Sequence, residues 1–131
     1  MAGALTVDTL NSSTGVLATQ NGMTGIAKAW VNFNGTGTVA IRSSFNVSSI
    51  TDNGTGDYTI NFTTAMPDTN YSWVVSVAPV YASDWLFANI NATTGSATES
   101  APTTTSCRMQ LYGRTTTVSD SKYVNIAVFG S

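Results

Sequence analysis

Few side chains in this sequence could carry out acid–base or nucleophilic chemistry. Histidine is absent, Glu99 is the only glutamate, and Cys107 is the only cysteine. Histidine is the commonest general base and a frequent metal ligand, so the inventory excludes Ser/His/Asp and Cys/His catalysis. We therefore expect a protein that is not an enzyme and that has no catalytic, cofactor-binding or metal-binding residues.

The segment 52–57 is the one place where carboxylates and turn residues cluster. Asp52 and Asp57 enclose Asn-Gly-Thr-Gly. Two carboxylates can support glycoside hydrolysis, and an oxygen-rich turn can bind Ca²⁺. Asp is also favoured in turns because its side chain bonds to nearby backbone, and the bidentate Glu of an EF-hand is missing. The sequence favours a structural β-turn here and leaves calcium binding open.

Aromatic side chains are the better candidates for contacts with a ligand or a second subunit. If residues 27–33 form a strand, Trp30 points to the face opposite that of Ala29 and Val31. We expect this side chain to face a neighbouring subunit. Tyr81 and Trp85 lie beside Asp84, where the alternating pattern breaks. An exposed aromatic pair there would suit sugar stacking or a protein contact, while packing under a loop is the more common outcome.

The amino-acid composition limits the binding partners and the cellular compartment expected for this protein. Apolar residues make up 42% of the 131 residues and charged residues only 9%, with a net charge of −2. The five basic residues are scattered, which argues against nucleic-acid binding. A single cysteine allows no intrachain disulfide, and residues 1–8 resemble neither a signal peptide nor a membrane span. We expect synthesis in a reducing cytoplasm and no membrane partner.

The apolar pattern has the period of β-strands. Helix-type spacing is missing, and alternation recurs in five segments, 27–33, 58–63, 71–77, 107–111 and 123–129. Turn residues separate them at 34–37, 52–57 and 66–68. Seven or eight short strands at this spacing predict an all-β fold, an antiparallel β-sandwich that is jelly-roll-like.

Two parts of the chain differ in character. Residues 1–25 contain one short apolar run followed by two Asn/Ser/Thr/Gly clusters, which predicts an N-terminal arm or connector. Residues 26–131 form the predicted β-sandwich domain. Within it, the Thr/Ser/Ala-rich segment 91–105 predicts a long loop, and such loops in compact domains are usually functional or mobile. We expect the arm to pack on a neighbouring subunit or on a larger platform.

One long stretch resembles a known family. The stretch covers residues 27–63 and runs from Ala-Lys-Ala-Trp-Val-Asn-Phe to Tyr-Thr-Ile-Asn-Phe-Thr. It is similar to a domain that is repeated in tail-fibre and other virion proteins of bacteriophages, especially those that infect marine and aquatic bacteria, including cyanophages. Residues 66–71 and the end at 124–130 resemble it too, and the likeness is weakest over 80–121. The resemblance implies a homotrimeric β-sandwich knob on the outside of the particle, without catalytic residues.

Several functional hypotheses follow. The first is a phage virion structural protein of the tail-fibre or receptor-binding type, located in the virion after synthesis in the host cytoplasm. Its partners would be further copies of itself, other virion proteins through residues 1–25, and a host-surface glycan or receptor. Because this chain has no fibrous shaft, capsid decoration that stabilises the head is an alternative. A free carbohydrate-binding module, with Trp30, Tyr81 and Trp85 as stacking platform, is another.

Overall fold

The computed structural model describes residues 26–78, 86–90, 100–113 and 118–130. The predicted arm at 1–25 and three of the candidate site residues, Tyr81, Asp84 and Trp85, lie outside these ranges. The described residues form eight strands: β1 (Ala27–Asn34), β2 (Ala40–Phe45), β3 (Val47–Gly54), β4 (Asp57–Phe62), β5 (Ser72–Val77), β6 (Phe87–Ile90), β7 (Ser106–Tyr112) and β8 (Val124–Phe129). Among these residues, no helix is long and apolar enough to cross a membrane.

The strands form two four-stranded antiparallel sheets, which confirms the all-β prediction. The first sheet has the order β2-β1-β8-β5 and the second the order β3-β4-β7-β6. The strand order differs from a jelly roll, in which β1 and β2 would lie in opposite sheets. Here the short connections after β1 and β3 keep each of these strands beside its successor in one sheet.

The core lies between the two sheets and follows the alternation in the sequence. Fifteen buried apolar residues form one cluster that draws on both sheets: Ala29, Val31, Phe33, Val47, Tyr58, Ile60, Phe62, Met66, Tyr71, Cys107, Met109, Leu111, Val124, Ile126 and Val128. The ring of Phe33 on β1 contacts the ring of Tyr58 on β4 edge-on, with centroids 5.2 Å apart. The alternating residues predicted to share a face on β4 and β7 are thus buried between the sheets.

The predicted hairpin at 52–57 is present between β3 and β4. Gly54 pairs with Asp57, leaving Thr55 and Gly56 as the connection. The φ angles of Gly54 and Gly56 are 131° and 65°, a region that side chains with a Cβ rarely adopt. A Cβ on Gly56 would also lie 2.8 Å from the carbonyl oxygen of Ser119. Glycine at 56 is therefore required both by the turn and by close packing.

Asn46 makes the corner where the chain leaves the first sheet and enters the second. It has a φ of 54°, a left-handed conformation that Asn tolerates better than most residues. Its Nδ2 donates to the carbonyl oxygens of Lys28 and Thr64, each at 3.1 Å, and its Oδ1 accepts from Thr64 N at 2.7 Å. This side chain ties the corner to β1 and to the segment that follows β4.

Of the predicted long loop at 91–105, the structure describes residues 100–105, and these are anchored to the sandwich before β7. Met66 N donates to the carbonyl oxygen of Thr104 at 2.7 Å, and Phe62 N donates to that of Thr105 at 2.9 Å. The phenol of Tyr71 donates to the carbonyl oxygen of Thr103 at 2.9 Å. Residues 103–105 are therefore held through their carbonyl oxygens by donors that lie between the end of β4 and the start of β5.

Candidate functional site

An exposed row of apolar side chains crosses the outer face of the first sheet. Trp30 pairs with Phe45 of β2 on one side and with Ala127 of β8 on the other, and Ala127 pairs with Val74 of β5. Directly opposed residues in antiparallel strands point to the same face, so these four side chains form a continuous row. Phe45, Trp30 and Val74 are 41%, 39% and 62% exposed. We call this set the apolar row.

A polar row lies beside it on the same face, two residues along each strand. It consists of Ser43, Asn32, Asn125 and Ser76, which are paired in that order. Asn32 Nδ2 donates to Asn125 Oδ1, and Arg42 Nη1 donates to Asn32 Oδ1 at 3.4 Å. The amides of the polar row are thereby held in fixed orientations next to the apolar row.

A groove opens between Trp30 and Val74. Its volume is 320 Å³, and its lining includes Ala127, Asn125 and Ser76. The groove exists because alanine occupies the position between two larger side chains of the apolar row. Of the described residues that line it, none carries a charge.

Hydrogen-bonding capacity remains in this groove. An asparagine amide has two N–H donors and an oxygen that can accept. Within the part of the chain that the structure describes, Asn125 uses its oxygen for Asn32, and its Nδ2 has no acceptor. In the same part of the chain, the hydroxyl of Ser76 has no hydrogen-bond partner. The groove thus combines an apolar wall and floor with free uncharged donors.

Arg42 donates a hydrogen bond to the polar row and also stacks on an aromatic ring. Its guanidinium lies 4.5 Å from the centroid of the Tyr123 ring, a cation–π contact. Tyr123 is 47% exposed and does not line the groove. The charge of Arg42 therefore lies at the edge of the groove, because Asn32 lines the groove, and it is shared with the ring of Tyr123.

The outward position of Trp30 agrees with the alternation in the sequence, since its neighbours Ala29 and Val31 are buried. Its role as a contact residue remains a prediction. Sequence reasoning missed Phe45, Val74 and Asn125 as members of the same face. Alternation over 71–77 already turns Val74 away from the core, but only strand pairing shows that it lies near Trp30.

Asp57, one of the two carboxylates in the 52–57 segment, is buried and forms an ion pair with the partly exposed Arg108. Asp57 is 1% exposed, and two of the three guanidinium nitrogens of Arg108 donate to it, with Nε 2.8 Å from Oδ1 and Nη2 2.7 Å from Oδ2. Gln110 Nε2 also donates to Oδ2 at 2.8 Å. This hydrogen-bonded carboxylate raises the pKa of Arg108. Both oxygens of Asp57 therefore have structural partners.

The other acidic residue of this segment serves the turn. Asp52 Oδ1 accepts a hydrogen bond from Gly54 N at 3.0 Å, and Asn53 Nδ2 donates to Asp57 Oδ1 at 3.2 Å. These are the local side-chain contacts that make Asp and Asn common in turns. Among the described residues, no group of three or more His, Cys, Asp or Glu side chains could hold a metal ion. The contacts of 52–57 support the structural interpretation of this segment.

Cys107 lies in the core, as a small apolar residue would. It is 2% exposed, and burial raises the pKa of its thiol well above the ordinary value. The thiolate is the reactive form of cysteine, so Cys107 is held in its unreactive form at neutral pH. Its position on β7 between the sheets agrees with the alternation of residues 107–111.

The described residues form a β-sandwich whose first sheet exposes an apolar row and a groove without charged lining residues. No protein-family model, curated protein or solved structure matches the chain. The resemblance of residues 27–63 to phage virion domains therefore stays a prediction from the sequence.

Proposed function

We propose that this chain is a non-enzymatic structural protein of a bacteriophage virion, displayed on the particle surface and of the tail-fibre or receptor-binding type. Two things support the proposal: the resemblance of residues 27–63 and the exposed face of the first sheet. The observation that carries it is the apolar row with the polar row beside it. Exposed apolar side chains that form a continuous patch usually mark a contact surface, and Trp is strongly enriched among residues that dominate binding energy.

The composition of this face suits contacts outside a crowded cytosol. Its described groove carries no charge, and the flanking positions are Ser and Asn. An uncharged face binds through burial and hydrogen bonds, so its contacts depend weakly on ionic strength. This property fits a surface protein that must hold its ligand in media of varied salt concentration.

Trimer formation and attachment through residues 1–25 are part of the proposal. Native mass spectrometry of the full chain tests the first part. A trimer has three times the chain mass of 13.7 kDa, about 41 kDa. Removing residues 1–25 should leave the trimer of folded domains intact and abolish binding to particles that lack the protein. A stable monomer with no affinity for capsid or tail components would contradict the proposal.

The position on the particle separates the two virion roles. A tail or receptor-binding protein should be present in few copies at one end of the particle. A capsid decoration protein should be present in hundreds of copies over the head. Quantitative gels of purified particles, with the major capsid protein as internal standard, measure the ratio directly, and labelled antibody shows the place by electron microscopy.

A free carbohydrate-binding module is the second candidate, and the exposed Trp30 beside unpaired amide donors is the observation that favours it. The two candidates differ in assembly state. A monomer that binds glycans and is absent from particles would support the free module. A particle-associated oligomer would support the virion protein.

A further inference from the structure

We propose that the groove between Trp30 and Val74 is a binding subsite for one uncharged pyranose ring of a surface glycan. The inference rests on the proposed receptor-binding function and names the ligand class of that same face. It is carried by the combination of an apolar wall, a small floor residue and free donors that line one groove.

The shape of the site fits a ligand that is apolar on one side and polar at its rim. Trp30, Ala127 and Val74 supply the apolar side, while Asn125 and Ser76 supply donors. Rows on one strand face are two residues apart, roughly 7 Å, at about 3.3 Å per residue. A pyranose ring has C–H groups on one face and hydroxyls around its edge, so it can touch both rows at once.

The volume and the free donors indicate a single small ring. A groove of 320 Å³ lies near the lower end of ligand pockets in proteins, which begin at about 300 Å³. Asn125 Nδ2 has no acceptor among the described residues, and its orientation is fixed because its oxygen binds Asn32. An oriented amide can donate to a sugar hydroxyl or acetamido oxygen without losing side-chain freedom on binding.

Charge complementarity selects a neutral sugar. No described residue lining the groove is charged, and the nearby Arg42, which donates to the groove-lining Asn32, is stacked on Tyr123. A carboxylate or phosphate in the groove would lose hydration and could gain only an ion pair with the exposed Arg42 at its edge, and exposed ion pairs contribute little. Sialic acid, uronic acids and lipid phosphates are therefore expected to bind worse than neutral hexoses or N-acetylhexosamines.

A second copy of this chain is the competing occupant, and the two differ in which residues they need. Self-association across the whole face would bury all of the apolar row, including Phe45. The sugar subsite needs Trp30 but not Phe45, because Phe45 does not line the groove. Phe45→Ala is thus a matched control for Trp30→Ala, since both remove an exposed aromatic ring from the same row.

The test is a titration of the isotope-labelled full chain with methyl glycosides of glucose, galactose and mannose, with N-acetylglucosamine, and with sialic acid, followed by NMR. We expect weak binding, with a dissociation constant on the order of 1 mM, because one ring in an open groove buries little area. The side-chain amide signals of Asn125 should shift with at least one neutral sugar. Trp30→Ala should weaken binding at least tenfold, and Phe45→Ala should leave it within twofold.

Asn125→Ala is the second variant, because Trp30→Ala alone could act through a local change in the sheet. It should weaken binding several-fold while the far-ultraviolet circular dichroism and the melting temperature stay near those of the parent chain. Equal losses in Trp30→Ala and Phe45→Ala would overturn the proposal in favour of a protein contact. Binding of sialic acid alone, shifts caused by dilution alone, or no shift with any neutral sugar would also overturn it.

Failure of this subsite is distinguishable from failure of the proposed function. A chain that is found on particles and forms a trimer, yet shows no Asn125 shift with neutral sugars, keeps the virion assignment and loses the subsite. A chain that binds a sugar in this groove but is absent from particles keeps the subsite and loses the virion assignment.

Discussion

Gly35 and Tyr58 are in such close contact that no larger residue fits at position 35. The phenol oxygen of Tyr58 lies 2.8 Å from the carbonyl oxygen of Gly35, and a Cβ at position 35 would lie 2.6 Å from that phenol oxygen. The same phenol donates to Asp120 Oδ1 at 2.7 Å. Tyr58 thus joins the turn after β1 to the segment that precedes β8.

Gly35→Ala should therefore destabilise the fold by about 2 kcal/mol, the usual cost of overpacking a tight site. Urea unfolding followed by fluorescence measures the loss. In a Tyr58→Phe background the same substitution should cost less, because the nearest atom has been removed. Gly37→Ala is the control: a Cβ there meets nothing within 4 Å, and its positive φ alone costs about 1 kcal/mol. Equal costs in both backgrounds would assign the clash to the remaining Tyr58 Cζ at 2.9 Å and the Ser121 carbonyl oxygen at 3.0 Å, and an unchanged stability of Gly35→Ala would refute the steric explanation.

Arg108→Ala should be among the most destabilising substitutions of a charged residue. It would leave the carboxylate of Asp57, 1% exposed, without its bidentate partner. Breaking a fully buried pair costs about 3 kcal/mol or more, and because Arg108 is 26% exposed we expect about 2 kcal/mol here. The double variant Asp57→Asn/Arg108→Gln should recover part of this loss, because no buried charge remains. Arg42→Ala, which removes an exposed cation–π contact, should cost below about 1 kcal/mol. A cost for Arg108→Ala as small as for Arg42→Ala would contradict this account.

Alkaline pH should unfold the protein through its buried acids. Burial raises the pKa of Tyr58, Tyr71 and Cys107 above their ordinary values, and the hydrogen bond to Asp120 adds to the effect at Tyr58. When the folded state raises the pKa of a group, that group contributes its full stabilisation of the fold at every pH below its unfolded-state pKa. The free energy of unfolding then falls as the pH rises above the unfolded-state pKa, because the unfolded chain loses the proton first. The free energy of unfolding should thus be nearly constant up to about pH 8. Above that pH it should fall by up to about 1.4 kcal/mol per pH unit for each group that is ionised in the unfolded chain and protonated in the folded one.

Urea midpoints measured between neutral pH and pH 11 check this prediction. The Cys107→Ala variant should begin to lose stability at a higher pH than the parent chain, because the thiol has the lowest ordinary pKa of the three groups. A midpoint that does not fall up to pH 11 would show that these groups ionise as readily in the folded chain as in the unfolded one.

Asn46→Ala should destabilise the corner between the sheets by about 2 kcal/mol. It removes the side-chain bonds to Lys28 and Thr64 and leaves a residue with a Cβ in the left-handed region. Asn46→Gly should cost less, because glycine adopts a positive φ without strain while lacking the same bonds. Thermal unfolding by calorimetry measures both. An Asn46→Gly variant less stable than Asn46→Ala would mean that backbone conformation contributes little at this corner.

Much of the fold could be predicted from local pattern. The alternation of 58–63 and 107–111 indicates strands and their buried faces, because side-chain direction reverses at every residue of a strand. The Asn-Gly-Thr-Gly run at 53–56 indicates the hairpin, since only glycine adopts its φ angles without strain. The corner at Asn46 carried no comparable signal, because Asn is also common in ordinary turns.

What the sequence by itself determined about this protein is its all-β class, the outward direction of Trp30 and the shortage of catalytic groups. These depend on residue type and on neighbours one or two positions away. Only the tertiary structure decided that Trp30 lies in one row with Phe45 and Val74, and that Asp57 is bound by Arg108, 51 residues later. The order and register of strands arise from packing and loop closure over the whole chain, and no local period encodes them.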